Sequence, residues 1–133
     1  MKITTISEKL SVSSQPSLDE IQSLRKQGFK TLINNRPDKE DSEQPGTQAE
    51  AQETKHCGLS YAFIPVTGDT ITEADVRAFR RAVDESDGPV FAHCKSGTRS
   101  LNLYLIGEVL GGRMPADEVV GFGRSRGFDT SAA

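Results

Sequence analysis

The sequence predicts an α/β domain in which helices flank a mostly parallel sheet of four to five strands. Segments of helix type alternate with short apolar segments of strand type along the 133-residue chain. Strands separated by helices are joined by right-handed crossovers, and this connection makes neighbouring strands parallel. The chain is long enough to bury one modest hydrophobic core. A single domain over residues 1–133 is therefore expected.

Three predicted helices share the same chemistry at their N-terminal ends. A side-chain hydroxyl at the helix start can accept a hydrogen bond from a backbone N–H of the first turn. A carboxylate three positions later can accept from the backbone N–H of the hydroxyl residue, and together they form a capping box. These pairs are Ser17–Glu20, Thr47–Glu50 and Thr72–Asp75. The helices are expected over about Leu18–Gln27, Gln48–Cys57 and Glu73–Glu85. Gly28 and Gly58 are suited to end the first two.

Short apolar runs between these helices are typical of buried strands. They are Lys30–Asn34, Leu59–Ile64 and Pro89–His93, with a weaker run at Leu10–Ser14. The segment LNLYLIGEVLGG after Ser100 predicts a buried helix, and a short helix is expected near Pro115–Gly121. The polar segment Arg36–Gly46 is a predicted loop at the carboxyl end of a strand. Residues from about 124 to 133 are expected to be frayed.

The composition argues against several classes of function. A net charge of -3, with 35% hydrophobic and 26% charged residues, indicates a globular chain without a basic field for nucleic acid or anionic lipid. No apolar run approaches the length of a membrane span. Two cysteines cannot form the disulfide framework of a small secreted domain, and the segment MKITTISEKL lacks the apolar core of a secretion signal, so a reducing cytoplasm is the expected location. Two histidines and two cysteines make a zinc site improbable, and no cofactor is predicted.

The stretch HCKSGTRS, His93–Ser100, carries the clearest indication of chemistry. Functional residues of a parallel sheet gather at the carboxyl ends of its strands, where Cys94 lies by this prediction. The N–H groups at the start of the following helix lack intrahelical partners, and the helix dipole adds positive potential. Gly97 allows the chain to curl, and Arg99 offers a planar fork for two oxygens of a phosphate, sulfate or thiosulfate. The sequence therefore predicts an anion cradle with a sulfur at its base.

The same surroundings favour the ionised form of the sulfur, because a helix N-terminus or a neighbouring cation stabilises a thiolate. We therefore expect Cys94 to be a thiolate at neutral pH. The turn residues that would contact a substrate anion are Lys95, Ser96, Gly97 and Thr98. Ser100 could hydrogen-bond the sulfur, and His93 is expected to point to the opposite face of its strand and make a structural hydrogen bond.

Two further cations, Arg36 just past a strand end and Lys95 at the rim, are candidates to add charge to this pocket. The alternative for each is a solvated surface cation. The expected partner of the site is a small anionic substrate, with no role for nucleic acid or membrane.

Four segments, in their order along the chain, resemble the phosphatase-like domain of bacterial beta-lactamase hydrolase-like proteins, relatives of dual-specificity phosphatases. They are SSQPS (Ser13–Ser17), GFKTLINNRPDKE (Gly28–Glu40), YAFIPV (Tyr61–Val66) and AHCKSGTRS (Ala92–Ser100). The resemblance covers about residues 8–110 and implies a cysteine-dependent phosphatase-like fold. It also implies that Cys94 is the nucleophile and Arg99 the oxyanion binder. Asp69 lies where phosphatase relatives carry a general acid, although a plain turn residue would also explain it.

The cysteine loop departs from the general phosphatase pattern, which places five residues between cysteine and arginine. Four residues separate Cys94 and Arg99, as in rhodanese sulfurtransferases, and CKSGTRS also resembles a single-domain rhodanese loop. The predicted function is hydrolysis of phosphate esters through a phosphocysteine. A rhodanese-type sulfurtransferase that forms a Cys94 persulfide is the alternative. A non-catalytic anion-binding or thiol-sensing module is a third possibility.

Overall fold

Five strands form one sheet in the computed structural model, which describes residues 1–131. They are β1 (Ile3–Thr5), β2 (Leu10–Ser13), β3 (Thr31–Asn34), β4 (Ser60–Phe63) and β5 (Val90–His93). The strand order is β1-β2-β5-β3-β4, with β1 antiparallel to β2 and all other pairs parallel. This confirms the predicted α/β fold with a mostly parallel sheet. The antiparallel edge strand β1 was not predicted, since three residues with one large apolar side chain carry little strand signal.

The helices lie between and after the strands. They are α1 (Leu18–Leu24), α2 (Thr47–Cys57), α3 (Glu73–Glu85), α4 (Thr98–Leu110) and α5 (Val119–Ser125), with a 3₁₀ turn at Ala116–Glu118. The third helix has the predicted bounds, whereas α1 ends at Leu24, before the predicted Gln27. The early end follows from the turn in which the N–H groups of Gln27 and Phe29 both donate to the carbonyl of Leu24. Among the helices of residues 1–131, none combines the length and apolarity that crossing a bilayer requires.

Strand β5 lies at the centre of the sheet, between β2 and β3, and all four of its residues are buried. Alternation along the strand places Phe91 in one apolar cluster, with residues of α1 and α2, and Ala92 in the other, with residues of α3 and α4. His93 lies beside Ser13 of β2 and Asn34 of β3. The residue after β5 therefore emerges at the middle of the carboxyl edge of the sheet, where open parallel sheets place their sites.

Two of the three predicted capping boxes are confirmed, those of Ser17 with Glu20 and of Thr72 with Asp75. The third is wrong. Helix α2 has Gly46 as its N-cap with no side-chain cap, and the Thr47 hydroxyl lies 2.7 Å from the hydroxyl of Tyr61. The carboxylate of Glu50 is turned inward and buried, so it is not available to the backbone of the first turn.

The C-terminal segment differs from the predicted frayed tail. Thr130 is 1% exposed, and its hydroxyl donates to the carbonyl of Val119 at 2.9 Å. Phe128 packs against the main apolar cluster, and its N–H donates to the carbonyl of Gly123 at 2.8 Å. These contacts hold the segment after α5 on the domain. Residues 132 and 133 of the predicted tail lie outside the described residues.

Candidate active site

The turn from β5 into α4 wraps around the sulfur of Cys94. The Cys94 side chain is buried, and the N–H of Gly97 donates to its sulfur at 3.1 Å. Gly97 has a φ of +101°, and a Cβ added there would lie 3.0 Å from a ring carbon of Phe128. Both the backbone conformation and the packing therefore favour glycine at this position. The turn holds the sulfur at the base of a tight backbone loop.

Backbone N–H groups of the same turn are free to bind a ligand. They belong to Lys95, Ser96, Thr98, Arg99 and Ser100, none of which donates to a backbone carbonyl within residues 1–131. Leu101 is the first residue of α4 whose N–H is paired, at 3.0 Å from the carbonyl of Gly97. Unpaired amides at a helix N-terminus, together with the helix dipole, attract anions. The turn thus combines a buried sulfur with donors suited to a tetrahedral oxyanion.

Arg99 is held by an acidic side chain and a backbone carbonyl. Its Nη1 donates to Oε2 of Glu40 at 2.8 Å and to the carbonyl of Val66 at 2.9 Å, and its Nη2 donates to Oε1 of Glu40 at 2.9 Å. The hydrogen bonds to Glu40 raise the pKa of Arg99 against the opposing effect of burial, and the nearby sulfur of Cys94 acts in the same direction. The guanidinium therefore stays charged beside the sulfur.

Glu40 bridges two arginines, a role that its sequence context does not predict. Besides Arg99 it accepts a hydrogen bond from Nε of Arg36 at 3.0 Å. The hydrogen bonds from Arg99 are the largest cause of a lowered pKa of Glu40, and Arg36 adds to the effect. The available signal was its place in the segment Gly28–Glu40, four residues after Arg36 in a loop at a strand end.

A chain of hydrogen bonds leads from Arg36 back to the cysteine. Nη1 of Arg36 donates to the side-chain oxygen of Gln15 at 3.1 Å, and the amide of Gln15 donates to Oε2 of Glu50 at 3.0 Å. Oε1 of Glu50 lies 2.6 Å from Nε2 of His93, whose Nδ1 lies 3.1 Å from the carbonyl oxygen of Cys94. Side chains from three strand ends and one helix thus tie the arginines to the peptide that carries the sulfur.

The pair of His93 and Glu50 is buried, with 0% and 1% of the side chains exposed. A carbonyl oxygen can only accept, so Nδ1 of His93 carries a proton and donates to Cys94. The short contact between Nε2 and Oε1 requires one further proton between these two atoms. The pair is net neutral whether this proton is on the histidine or on the carboxyl group. Net neutrality is the condition under which two titratable groups can be buried together.

Comparison with known proteins agrees with this architecture. The model of the family described as "Beta-lactamase hydrolase-like protein, phosphatase-like domain" matches residues 2–111. The chain belongs to this family. Beta-lactamase hydrolase-like proteins of Agrobacterium fabrum and Xylella fastidiosa are 50% and 48% identical to it over all 133 residues. The chain spans 31% of the length of each of these relatives. The resemblance of the four sequence segments is thereby confirmed.

Solved structures with the same fold include phosphatases. A candidate phosphatase from Neisseria meningitidis is 30% identical, with a TM-score of 0.84 over 96% of this chain and 89% of that one. The P. aeruginosa protein TpbA, solved in complex with phosphotyrosine, is 18% identical, with a TM-score of 0.67 over 90% of this chain and 70% of its own. The second likeness shows the fold alone. The family and the first likeness support a phosphatase-like function for the domain.

The two predicted cations of this phosphatase-like domain line the same cleft. Lys95 is exposed and Arg36 is 3% exposed, and both line a cleft of about 600 Å³ that begins beside the cysteine turn. Arg36 is not a solvated surface cation, because its guanidinium contacts Glu40 and Gln15. Two of its five N–H donors are used by these partners inside the protein.

Two other predicted site residues have local partners. The buried hydroxyl of Ser100 donates to Oδ1 of Asn35 at 2.8 Å and not to the sulfur, because the strand end of β3 lies beside the start of α4. Asp69 is exposed in the loop after β4, and its Oδ1 accepts from the hydroxyl of Thr67 at 3.2 Å. Within residues 1–131 Arg99 forms its salt bridge with Glu40, and Asp69 forms none with Arg99.

The second cysteine has a different environment. Cys57 lies at the end of α2, half-buried against the apolar cluster of α1 and α2. Desolvation, together with the neighbouring carboxylate of Glu53, raises the pKa of its thiol. These surroundings oppose ionisation, whereas the turn around Cys94 offers an N–H donor and an arginine. Cys57 is therefore a matched control thiol for experiments on Cys94.

Proposed function

We propose that the domain hydrolyses small phosphate monoesters through a Cys94 thiolate and a phosphocysteine intermediate. The observation that carries the proposal is the buried sulfur of Cys94, which accepts from the N–H of Gly97 below a ring of unpaired amides. A thiolate must stay reduced to react, so a reducing compartment such as the cytoplasm belongs to the same proposal. A small anionic phosphate ester is the corresponding substrate.

In the first step the sulfur of Cys94 attacks phosphorus in line, an S–P bond forms and the P–O bond to the leaving group breaks. The unpaired N–H groups of the turn and the fork of Arg99 would hold the equatorial oxygens, where negative charge spreads in the transition state. Lys95 and Arg36, which line the adjacent cleft, would add positive potential.

The leaving oxygen needs a proton, and Asp69 is the proposed general acid because it follows β4 at the same edge of the sheet. In the second step water attacks the phosphocysteine, its proton passes to a base, and the S–P bond breaks. Inorganic phosphate is released and the Cys94 thiolate is regenerated. The same carboxylate of Asp69, now ionised, would accept that proton.

Sulfur transfer is the second candidate function, and the interval of four residues between Cys94 and Arg99 favours it. Here the thiolate attacks the outer sulfur of thiosulfate, the S–S bond of thiosulfate breaks, and sulfite leaves with the electron pair. The Cys94 persulfide then gives its outer sulfur to cyanide or to another thiol. Sulfite leaves as an anion, so this route needs no general acid.

Two assays on the same preparation test these functions, namely hydrolysis of p-nitrophenyl phosphate and transfer of sulfur from thiosulfate to cyanide. Cys94→Ser should abolish the activity that the domain possesses, and Cys57→Ser should retain it. Intact mass after incubation adds a chemical signature, since a persulfide adds roughly 32 Da and a phosphoryl group roughly 80 Da to the trapped intermediate.

Hydrolysis of p-nitrophenyl phosphate by Cys94→Ser at the wild-type rate would rule out the thiolate mechanism. Thiosulfate turnover without phosphate hydrolysis would select the sulfurtransferase. If the wild-type domain turns over neither substrate but is stabilised by phosphate or thiosulfate, the non-catalytic anion-binding function replaces both.

A further inference from the structure

The guanidinium of Arg99 has five N–H donors in a fixed planar arrangement, and three of them are used within the protein. Both Nη1 hydrogens are taken, one by Glu40 and one by the carbonyl of Val66, and one Nη2 hydrogen is taken by Glu40. The N–H of Nε and the second N–H of Nη2 remain. These two bonds are parallel and form the side edge of the guanidinium, so one bidentate edge is still available for an anion.

We propose that Glu40 is a positioning residue that fixes Arg99 so that this side edge faces the oxyanion cradle around Cys94. The inference rests on the proposed function, in which Arg99 binds the oxyanion. Glu40 holds the end edge of the fork with two hydrogen bonds of 2.8 and 2.9 Å, and this pairing opposes rotation of the guanidinium. A group already aligned in the free protein needs no reorganisation when charge develops in the transition state.

Glu40 does not compete with a substrate anion for the free edge of Arg99. Its carboxylate occupies the end edge of Arg99 and leaves the side edge clear. Its charge is also shared with Arg36, whose Nε donates to it at 3.0 Å. The three side chains together carry one net positive charge, and exposed Asp41 approaches Arg36 only at 3.9 Å. This positive charge compensates the negative charge of the proposed Cys94 thiolate.

The anchoring of Glu40 reaches the peptide of the nucleophile. Arg36 holds Gln15, Gln15 holds Glu50, and Glu50 contacts His93, which donates to the carbonyl of Cys94. The distance between the sulfur and the guanidinium is thus determined from both sides by buried or half-buried side chains. Glu40 lies in the middle of this network and can therefore determine the orientation of Arg99.

The competing explanation is that Glu40 only fastens the loop of residues 36–46 to the domain. A double-mutant cycle separates the two roles, because a residue that acts through Arg99 loses its effect once Arg99 is replaced. The variants are Glu40→Gln, Arg99→Lys and the double variant. Glu43→Gln, in the same loop with an exposed side chain, is the control for loss of one negative charge.

The measured quantity is kcat/KM with p-nitrophenyl phosphate or thiosulfate, whichever the wild-type protein turns over. Glu40→Gln should lower it by about 10- to 100-fold, the cost of a misaligned group. In the Arg99→Lys background the same substitution should change it by less than about twofold. An equal loss in both backgrounds, or unchanged or increased activity of Glu40→Gln, would overturn the proposal. Glu43→Gln should stay within about twofold of the wild type.

A second measurement does not depend on turnover. Nitrogen-15 NMR of the wild-type domain should show separate Nη proton signals for Arg99, identified by their loss in Arg99→Lys, because the pairing with Glu40 slows rotation of the guanidinium. In Glu40→Gln these signals should merge. Signals already merged in the wild type, or unaffected by the substitution, would refute positioning even if the domain proves to have no activity. Should Glu40→Gln not fold, Glu40→Asp retracts the carboxylate by one methylene and is measured in the same way.

Discussion

A large effect of a single polar substitution on stability is expected at the buried carboxylate of Glu50. It accepts from Nε2 of Gln15 at 3.0 Å and lies 2.6 Å from Nε2 of His93, and the side chain is 1% exposed. In Glu50→Ala buried His93 loses its hydrogen bond in the interior, where an unsatisfied polar group costs about 1–3 kcal/mol, whereas half-buried Gln15 keeps its hydrogen bond to the carbonyl of Pro16. Breaking a buried pair from one side costs about 3–5 kcal/mol in total.

That loss is large for a domain whose whole stability is roughly 5–15 kcal/mol. Urea unfolding followed by circular dichroism measures it directly, and we expect Glu50→Ala to lose about 3–5 kcal/mol and roughly 10–20 °C in Tm. Glu53→Ala, one turn further along α2, is the matched control. Its carboxylate has only a 3.7 Å contact with the thiol of Cys57, so a change within about 0.5 kcal/mol is expected.

Glu50→Gln tests the inferred protonation of the pair. Because Nδ1 of His93 donates to the carbonyl of Cys94, Nε2 can accept, and a glutamine amide can donate to it while its oxygen accepts from Gln15. This isosteric variant should therefore lose less than about 1.5 kcal/mol. The reasoning is refuted if Glu50→Ala is no less stable than Glu53→Ala, or if Glu50→Gln is as destabilised as Glu50→Ala.

Three further predictions concern the cysteine turn and its neighbours. Gly97→Ala, at a φ of +101°, should cost about 1–2 kcal/mol and most of the activity in unfolding and turnover assays. Gly121→Ala, inside α5 with nothing within 4 Å, should leave turnover unchanged and stabilise the domain by up to about 1 kcal/mol. Asp69→Asn should slow phosphate ester cleavage at least about tenfold and leave sulfur transfer from thiosulfate unchanged, and an equal rate of cleavage would remove it as the general acid. The hydrogen bonds from Arg99 lower the pKa of Glu40 from its ordinary 4.5, so its stabilisation is present above pH 4.5 and lost as the pH falls through the lowered value. Urea midpoints between about pH 6 and about pH 3 should fall less steeply in Glu40→Gln than in the wild type, and parallel curves would contradict the assignment.

The features that the sequence predicts correctly depend on residues close together in the chain. The capping boxes at Ser17 and Thr72 need only a hydroxyl and a carboxylate three positions apart, and both form. Strands β3, β4 and β5 follow from apolar runs bounded by turn residues, and their separation by helices is sufficient to predict a parallel sheet. The turn from Cys94 to Arg99 is likewise contiguous, so its place between a strand and a helix could be predicted.

The wrong or missing predictions involve residues whose partners are distant in the sequence. Glu50 has the spacing of a capping residue, yet it lies against His93, 43 positions away. Glu40 lies in a polar loop, and its partner Arg99 is 59 positions away. A local pattern gives the hydrogen-bonding capacity of a carboxylate but does not determine which donor the folded chain brings to it.

The amino-acid sequence alone determined the α/β class, the helix boundaries near capping boxes and the placement of a cysteine and an arginine at a helix start, because these depend on local periodicity and spacing. The tertiary structure decided which side chains surround them. The order β2-β5-β3 brings the ends of three strands to one edge, so that Gln15, Arg36 and His93 come within hydrogen-bonding reach of two carboxylates. Burial makes the contact between Glu50 and His93 the most important of these energetically, since an unpaired polar group in the interior is costly.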